Sequence, residues 1–339
     1  MLAAFIYLFT ACVSTESGKT IDAEVYFKLG ISNAQKGNHD RAIANYNDAI
    51  RLNSGYAAAY YNRGIAYSKK GDYDQAISDF TQAIRFKADF ADAYHERGFT
   101  YADKGDHDRA IADYTQAIQF NPNSAVTYFN RGTVYYYKHD YDHAIADFTQ
   151  TIRLNPDYAA AYYNRGYTYS ERQDYDQAIA DFTQAIQLNP NYAKAFMERG
   201  IAYYNKQDND RAIADYTVTI RLDPNYTIAY YNRGNVYREK GDYDKAIADY
   251  TAAIRLNPNF EKAYNNRGVT YGQKGDYDRA IADLTQAIRL DPNDAIAYYS
   301  RGLTYSLKND RERAFADYTE AVRLNPNNTT YKKALESVR

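Results

Sequence analysis

Residue types that could carry out chemistry are few in this sequence. His139 and His143 are four residues apart, a spacing that could hold a metal ion on a helix. His139 falls between two helical patterns, and no neighbouring segment supplies a third ligand, so a solvated surface is the preferred interpretation. Asp140 and Asp142, which lie between these histidines, are better explained as favourable charges at a helix N-terminus.

Catalytic motifs are equally weak. Cys12 is the only cysteine and has no paired base that would activate it as a nucleophile. No glycine-rich phosphate loop follows a strand pattern, because no strand pattern is apparent. We therefore predict a protein that is not an enzyme and that uses no cofactor, no metal and no small-molecule substrate.

A 34-residue repeat makes up most of the chain. The surface that carries function must therefore be built from these repeats. Nine glycines mark it at a constant spacing of 34, namely Gly30, Gly64, Gly98, Gly132, Gly166, Gly200, Gly234, Gly268 and Gly302. Repeats of this length are typical of solenoids, in which each unit buries its apolar face against its neighbours. Function is then expected on an extended surface.

Each repeat reads as a helix A, a tight turn and a helix B, so the predicted fold class is all-α. In the copy 57–90, apolar and small residues follow two helical stripes separated by a Lys-Gly-Asp-Tyr-Asp turn signal. Numbering each copy from 1 to 34 gives nine of them, at 23–56, 57–90, 91–124, 125–158, 159–192, 193–226, 227–260, 261–294 and 295–328.

Recurring residues explain how two helices could pack within a copy. Glycine at position 8 and alanine at position 20 occur in all nine copies, which lets helices A and B approach closely. Position 24 is aromatic in eight copies and is expected to fill the core beside them. All seven prolines occupy position 32, where they end helix B, while copies 1 and 2 carry Ser54 and Ala88 and are expected to have looser junctions.

This pattern resembles that of the tetratricopeptide repeat (TPR) family in residue type and period, over about nine-tenths of the chain. The resemblance implies a right-handed α-solenoid superhelix of nine TPR units. Residues 329–339 have the pattern of a partial helix A and are predicted to form a C-terminal capping helix, with Leu335 and Val338 covering the last helix B.

One departure from the family is systematic. Position 7 is arginine in copies 2–9, and position 23 is aspartate in the same eight copies. Copy 1 has Leu29 and Asn45 instead, so the two charges disappear together. We predict Arg–Asp pairs between helices A and B. The alternative is an arginine stripe that binds anionic ligands.

The first residues of the chain give an indication of its cellular location. Residues 1–12 are apolar and too short to span a bilayer as a helix, but they have the length of a signal-peptide core. The segment resembles a bacterial lipoprotein signal, which implies cleavage after residue 11, lipidation of Cys12 and a flexible tether over 12–22. Alternatives are an ordinary cleaved signal, an interfacial anchor or a buried chain end.

The resemblance also implies that helix A positions 2, 5, 6, 9, 12 and 13 line a concave groove. Position 5 is mostly aromatic and position 6 is asparagine in five copies, which suits binding of an extended peptide. The alternative is that these asparagines solvate the helix or bond the neighbouring copy. The predicted groove residues are Tyr61, Asn62, Phe129, Asn130, Tyr163, Asn164, Tyr231, Asn232 and Asn266. Copies 4–6 are expected to hold its anchor region.

Composition limits the partners. A formal net charge of −2 gives no electrostatic footprint for nucleic acid. We therefore predict a non-catalytic scaffold that binds proteins or extended peptides and is lipid-anchored in a bacterial envelope. The alternatives are an accessory subunit of an envelope enzyme or transporter, and a cytoplasmic location.

Overall fold

The computed structural model describes residues 22–339, and the predicted signal-like segment with Cys12 lies outside the described residues. Within 22–339 the chain forms nineteen α-helices and no strand. The all-α prediction is therefore confirmed for this part of the chain.

Helices A and B alternate along the nine copies. The A helices are α1 (Ala23–Gln35), α3 (Ala57–Lys70), α5 (Ala91–Asp103), α7 (Ala125–Tyr137), α9 (Ala159–Glu171), α11 (Ala193–Asn205), α13 (Thr227–Glu239), α15 (Glu261–Gln273) and α17 (Ala295–Leu307). The B helices are α2 (His39–Leu52), α4 (Tyr73–Phe86), α6 (His107–Phe120), α8 (Tyr141–Leu154), α10 (Tyr175–Leu188), α12 (Asn209–Leu222), α14 (Tyr243–Leu256), α16 (Tyr277–Leu290) and α18 (Arg311–Leu324). The last helix is α19 (Thr329–Ser337).

The chain divides into two compact units, an N-terminal unit that ends at Thr168 and a C-terminal unit that begins at Tyr169. Within each unit, helix A packs against helix B of its own copy, and helix B packs against helix A of the next copy. Successive A helices also touch, for example α3 with α5 and α13 with α15. Each unit is therefore an α-solenoid of stacked helix pairs, as predicted.

The turn between helices A and B requires a left-handed backbone at position 15. Gly71 has φ 82°, its amide donates to Ser68 O, and the Asp72 amide donates to Tyr67 O. This pair of bonds is a Schellman cap, for which glycine is the best residue. Four copies adopt the same conformation without glycine, at His139, Gln173, Gln207 and Asn309.

Helix B ends in the same way with or without proline. Asn155, which precedes Pro156, has φ −139° and ψ 91°. Lys87, which precedes Ala88, has φ −139° and ψ 92°. The expected looser junctions of copies 1 and 2 thus have the backbone of the other copies, because the helix-capping bonds already define the path.

Close contact between helices A and B depends on the small residues, as predicted. Ala280 is fully buried, and a Cβ placed on Gly268 would lie 2.8 Å from Leu284 Cγ and 3.2 Å from the Ala280 carbonyl oxygen. At Gly200 the same atom would lie 2.7 Å from Tyr216 Cε1. The glycines therefore mark helix crossings at which no side chain fits.

Arginine at position 7 does pair with aspartate at position 23. Arg233 Nε donates to Asp249 Oδ2 and Nη2 donates to Oδ1, both at 2.8 Å, while Nη1 donates to Thr217 Oγ1 of the preceding copy at 2.9 Å. The same bidentate arrangement occurs at Arg63–Asp79, Arg97–Asp113, Arg131–Asp147, Arg199–Asp215, Arg267–Asp283 and Arg301–Asp317. Each of these arginines links helices A and B of its own copy and also bonds the preceding copy. These contacts favour the structural interpretation over an anion-binding stripe.

The C-terminal helix α19 covers the end of the array. Leu335 and Tyr331 are buried, and the Tyr331 ring stacks on Tyr299 at 4.9 Å between centroids. Glu336, which stands where a further copy would need glycine, is exposed. Across residues 22–339, no helix combines the length and apolar character needed to cross a membrane.

Candidate functional site

The candidate site is the A-helix surface, which we define as positions 2, 5, 6, 9, 12 and 13 of the A helices. Every predicted groove residue lies here and is half-buried. The residues differ in what they contact, and those contacts decide which parts of the surface are open to a partner.

Aromatic rings at position 5 are packed into the protein on one side. The Tyr61 ring lies 6.0 Å from Phe80 and 4.9 Å from Phe90, centroid to centroid. Phe129 makes equivalent contacts with position 24 and position 34 of its own copy, as does Tyr231 in the C-terminal unit. These rings form the floor of the surface and also join helix A to the end of helix B.

Asparagines at position 6 use their amide groups in different ways. Asn62 Nδ2 donates to the Ala58 carbonyl of its own helix at 2.8 Å. Asn266 Nδ2 donates to the Tyr231 hydroxyl at 3.1 Å and to Asn235 Oδ1 at 2.8 Å, both in the preceding copy. The alternative role, bonding of the neighbouring copy, is therefore present at Asn266.

Two more of these asparagines contact aromatic neighbours. Asn130 Nδ2 lies 3.5 Å from His95 Nε2 of the preceding copy. Asn232 lies beside the Tyr216 hydroxyl and opposes the rise in its pKa that burial causes. A peptide that approached either residue would meet an amide already held in place, which reduces the entropy lost on binding.

One opening on the N-terminal unit lies between copies 4 and 5. This tyrosine pocket has a volume of 320 Å³. Its lining residues are Thr133, Tyr136, Tyr137, Phe148, Tyr163, Asn164 and Tyr167. Tyr163 and Asn164 were predicted from the sequence, and the pocket falls in the predicted anchor region.

Sequence reasoning missed Thr133 and Tyr167, both at position 9. The signal was present, because position 9 is bulky and aliphatic in most copies, whereas Thr133 is short. A short residue at this position opens a space that the large Tyr167 ring then borders. Tyr135, from the same aromatic run, faces elsewhere and stacks on His143 at 4.9 Å between centroids.

A second, shallower pocket of 180 Å³ adjoins the tyrosine pocket and shares Thr133 and Tyr137 with it. Asp103 and His107 line its other side. Tyr137 is 63% exposed and its ring is nearly parallel to the His107 ring, at 11°. The Tyr137 ring therefore separates the tyrosine pocket from this second pocket.

A third opening, of 320 Å³, lies between copies 2 and 4 around His95. His95 Nδ1 is 2.9 Å from Thr127 Oγ1, and burial lowers the His95 pKa. Burial also raises the pKa of Glu96, against the opposing effect of Lys69. This opening combines the imidazole of His95 with the carboxyl group of Glu96.

The C-terminal unit has a different A-helix surface. Glu198 occupies position 6, where burial, assisted by Glu171, raises its pKa to about 7. The Tyr204 hydroxyl donates to Glu239 Oε1 of the next copy at 2.5 Å. Here Tyr204 and Glu239 bond two neighbouring copies to each other.

The histidine pair does not form a metal site. His139 Nδ1 lies 2.9 Å from the Tyr141 hydroxyl, and His143 Nδ1 lies 2.8 Å from Asp140 Oδ2. Among residues 22–339, no three His, Cys, Asp or Glu side chains are grouped so that they could hold a metal ion.

Sequence profiles place this architecture in a family. A profile described as "Tetratricopeptide repeat" matches residues 57–90, 125–158, 159–192, 261–294 and 295–328, which together make up half of the chain. The chain belongs to the tetratricopeptide repeat family. A second profile, described as "TPR repeat", matches residues 32–71, 100–138, 200–238 and 234–275.

Solved structures of TPR proteins resemble the chain. YrrB, described as a TPR protein with an unusual peptide-binding site, is 25% identical, with a TM-score of 0.50 over 56% of this chain and 97% of its own. A tetratricopeptide repeat protein from Parabacteroides merdae is 22% identical, with a TM-score of 0.54 over 73% of this chain and 98% of its own.

A third structure, the C-terminal part of a TPR repeat-containing protein from Cytophaga hutchinsonii, is 18% identical, with a TM-score of 0.55 over 81% of this chain and 99% of its own. At such identities the last two comparisons show the fold alone. No curated protein matches the sequence. TPR repeats commonly mediate protein–protein or peptide interactions and are generally non-catalytic.

Proposed function

We propose that this TPR protein is a non-catalytic scaffold that binds an extended peptide segment of a protein partner on its A-helix surface. The tyrosine pocket between copies 4 and 5 carries the proposal, because it is concave, aromatic and bordered by the Asn164 amide and the Thr133 hydroxyl. Such a combination is typical of binding sites in which apolar contact supplies affinity and a few polar groups fix orientation. The peptide-binding site named for YrrB supports the same type of ligand.

Partner capture tests this proposal. Full-length protein is used as bait in a membrane fraction of the native cells, and bound proteins are identified by mass spectrometry. Beside it runs a variant with Tyr137→Ala and Asn164→Ala, which removes two walls of the pocket. A matched control carries Phe315→Ala, an exposed aromatic ring on α18 away from the A-helix surface.

A protein that binds wild type and the Phe315 control but not the pocket variant supports the proposal. Recovery of the same proteins by all three baits would contradict it and would indicate that partners bind to the B helices or the turns. Recovery of a whole membrane enzyme or transporter complex in a pocket-dependent way would favour the role of accessory subunit.

A second part of the proposal concerns location. We propose that the chain is anchored in a bacterial envelope through lipid on Cys12, an idea that depends on the lipoprotein-like pattern of residues 1–12. Two or three acyl chains anchor a protein stably where a single chain does not.

Metabolic labelling with a clickable fatty acid checks the anchor. Wild-type protein should incorporate the label and sediment with membranes, and Cys12→Ser should do neither. Wild-type protein that carries no label and stays in the soluble fraction would contradict the proposed lipid anchor and would favour the cytoplasmic alternative.

A further inference from the structure

Four tyrosine rings, those of Tyr136, Tyr137, Tyr163 and Tyr167, line the tyrosine pocket. The Tyr136 ring meets Tyr137 and Tyr167 edge to face, with centroids 5.7 Å apart in both pairs. Tyr163 lies 6.2 Å from Tyr167. Aromatic faces carry partial negative charge and attract cations that approach within about 6 Å of the ring centre. Several rings around one opening therefore favour a cationic group over a neutral one.

Three carboxylates of α5 form no ion pair within residues 22–339, and one of them, Asp103, adjoins the tyrosine pocket. Asp103 lines the adjoining pocket, and it forms no ion pair with any residue in 22–339. Asp92 and Glu96, on the same helix α5, also form none within that range. Lys69 of α3 opposes the effect of burial on the pKa of Glu96, and burial raises the pKa of Asp103.

Cations on the nearby helices are already paired. On α5 and in the turn after it, Arg97 pairs with Asp113 and Lys104 pairs with Asp74. On α7 and in its turn, Arg131 pairs with Asp147 and Lys138 pairs with Asp108. The A helix of copy 3, α5, therefore carries carboxylates that no cation of the described residues pairs with directly.

We infer that this part of the surface binds an arginine side chain of an extended peptide, with the guanidinium group against the tyrosine rings and its charge directed toward Asp103. The inference rests on the proposed function and names the chemistry of the partner. Arginine is favoured over lysine because its planar, weakly hydrated guanidinium stacks on aromatic faces. The chain itself shows this contact, since the Arg109 guanidinium lies 4.5 Å from the centre of the Tyr101 ring.

Fluorescence anisotropy with defined probes tests the inference on purified full-length protein. The first probe is a fluorescein-labelled Gly-Gly-Arg-Gly-Gly-Arg-Gly-Gly peptide. The second replaces both arginines with citrulline, which keeps the shape and removes the charge. We expect the citrulline probe to bind at least about tenfold more weakly, and binding of the arginine probe to weaken with added salt.

Variants locate the contact. Tyr137→Leu should weaken binding of the arginine probe about fivefold, while Tyr137→Phe should bind like wild type because it keeps the ring face. Asp103→Asn should weaken binding about threefold. Asp89→Asn, an exposed change of equal charge in the turn after α4, is the matched control and should bind like wild type.

Equal binding of the two probes, no binding of the arginine probe, or equal effects of Asp103→Asn and Asp89→Asn would each overturn the inference. The peptide-scaffold proposal fails separately, when partner capture does not depend on the pocket. If partner capture depends on the pocket but the two probes bind equally, the arginine inference is refuted. The proposal of a peptide-binding scaffold then still stands.

Discussion

At the scale of single residues, the repeated Arg–Asp pair explains why position 7 of this chain departs from the family pattern. Asp249 is only 6% exposed, so its charge needs both hydrogen bonds from Arg233. The third bond, from Arg233 Nη1 to Thr217, reaches the preceding copy. One guanidinium group thus stabilises a copy and its junction together.

Removal of Arg233 should leave a buried carboxylate without its partner. We expect Arg233→Leu to lower the free energy of unfolding by about 2–4 kcal/mol, as measured by urea denaturation. The double variant Arg233→Leu with Asp249→Asn recreates the combination found in copy 1 as Leu29 and Asn45. It should be more stable than the single variant. A single variant as stable as wild type would show that the pair is energetically neutral.

Glu198 gives the stability of the C-terminal unit a pH dependence. Burial raises the Glu198 pKa to about 7 in the folded protein, well above its value in an unfolded chain. The folded state therefore favours the protonated carboxyl group. Its contribution to stability is present below the unfolded pKa and is lost as pH rises through about 7.

Replacement of Glu198 with glutamine should remove this loss. We expect Glu198→Gln to be about as stable as wild type near pH 4.5 and more stable by about 1–2 kcal/mol at pH 8. Urea denaturation at both pH values measures the difference. A constant difference between the two proteins across this range would contradict the raised pKa.

At the scale of helices, packing distance separates two kinds of glycine. Gly268 and Gly272 lie one turn apart in α15, but only Gly268 faces a helix crossing. A Cβ on Gly272 would meet nothing closer than 3.7 Å, at Thr304 Oγ1. The same residue type therefore serves close packing at one position and has no such requirement at the other.

Alanine substitutions in α15 should show this contrast. Gly268→Ala should destabilise the protein by about 1–3 kcal/mol, because Leu284 and the Ala280 backbone must move. Gly272→Ala should be neutral or stabilising by up to about 1 kcal/mol, since alanine favours the helix. Thermal unfolding of the two variants makes the comparison. Similar changes in both would contradict the assigned crossing.

At the scale of the whole molecule, each copy depends on its neighbours for a complete core. Stability is expected to be approximately a sum of copy and nearest-neighbour terms. The last copy has no following copy, and α19 supplies the missing cover with Tyr331 and Leu335 while its outer face stays polar.

Deletion of 329–339 should therefore expose the end of the array. We expect a loss of about 2–4 kcal/mol from the burial of Tyr331 and Leu335. Hydrogen exchange should become faster first in α17 and α18, the helices nearest the deleted cap. Glu336→Ala, an exposed change within α19, is the control and should leave exchange unchanged. Unaltered exchange after the deletion would mean that α19 is dispensable.

The sequence by itself determined the helix pairs, their turns and the Arg–Asp contacts. These features depend on interactions within one period, so a constant spacing of 34 is enough to specify them. Gly268 opposite Leu284, and Arg233 opposite Asp249, could both be expected from the columns alone.

Only the tertiary structure decided which A-helix residues are open. Tyr135 and Tyr136 are adjacent in sequence, but Tyr135 stacks on His143 and Tyr136 lines the pocket. Likewise, Asn266 uses its amide to bond the preceding copy. The physical reason is that exposure at these positions depends on the size and rotamer of side chains in adjoining copies. Here the short Thr133 leaves a space that the period alone does not reveal.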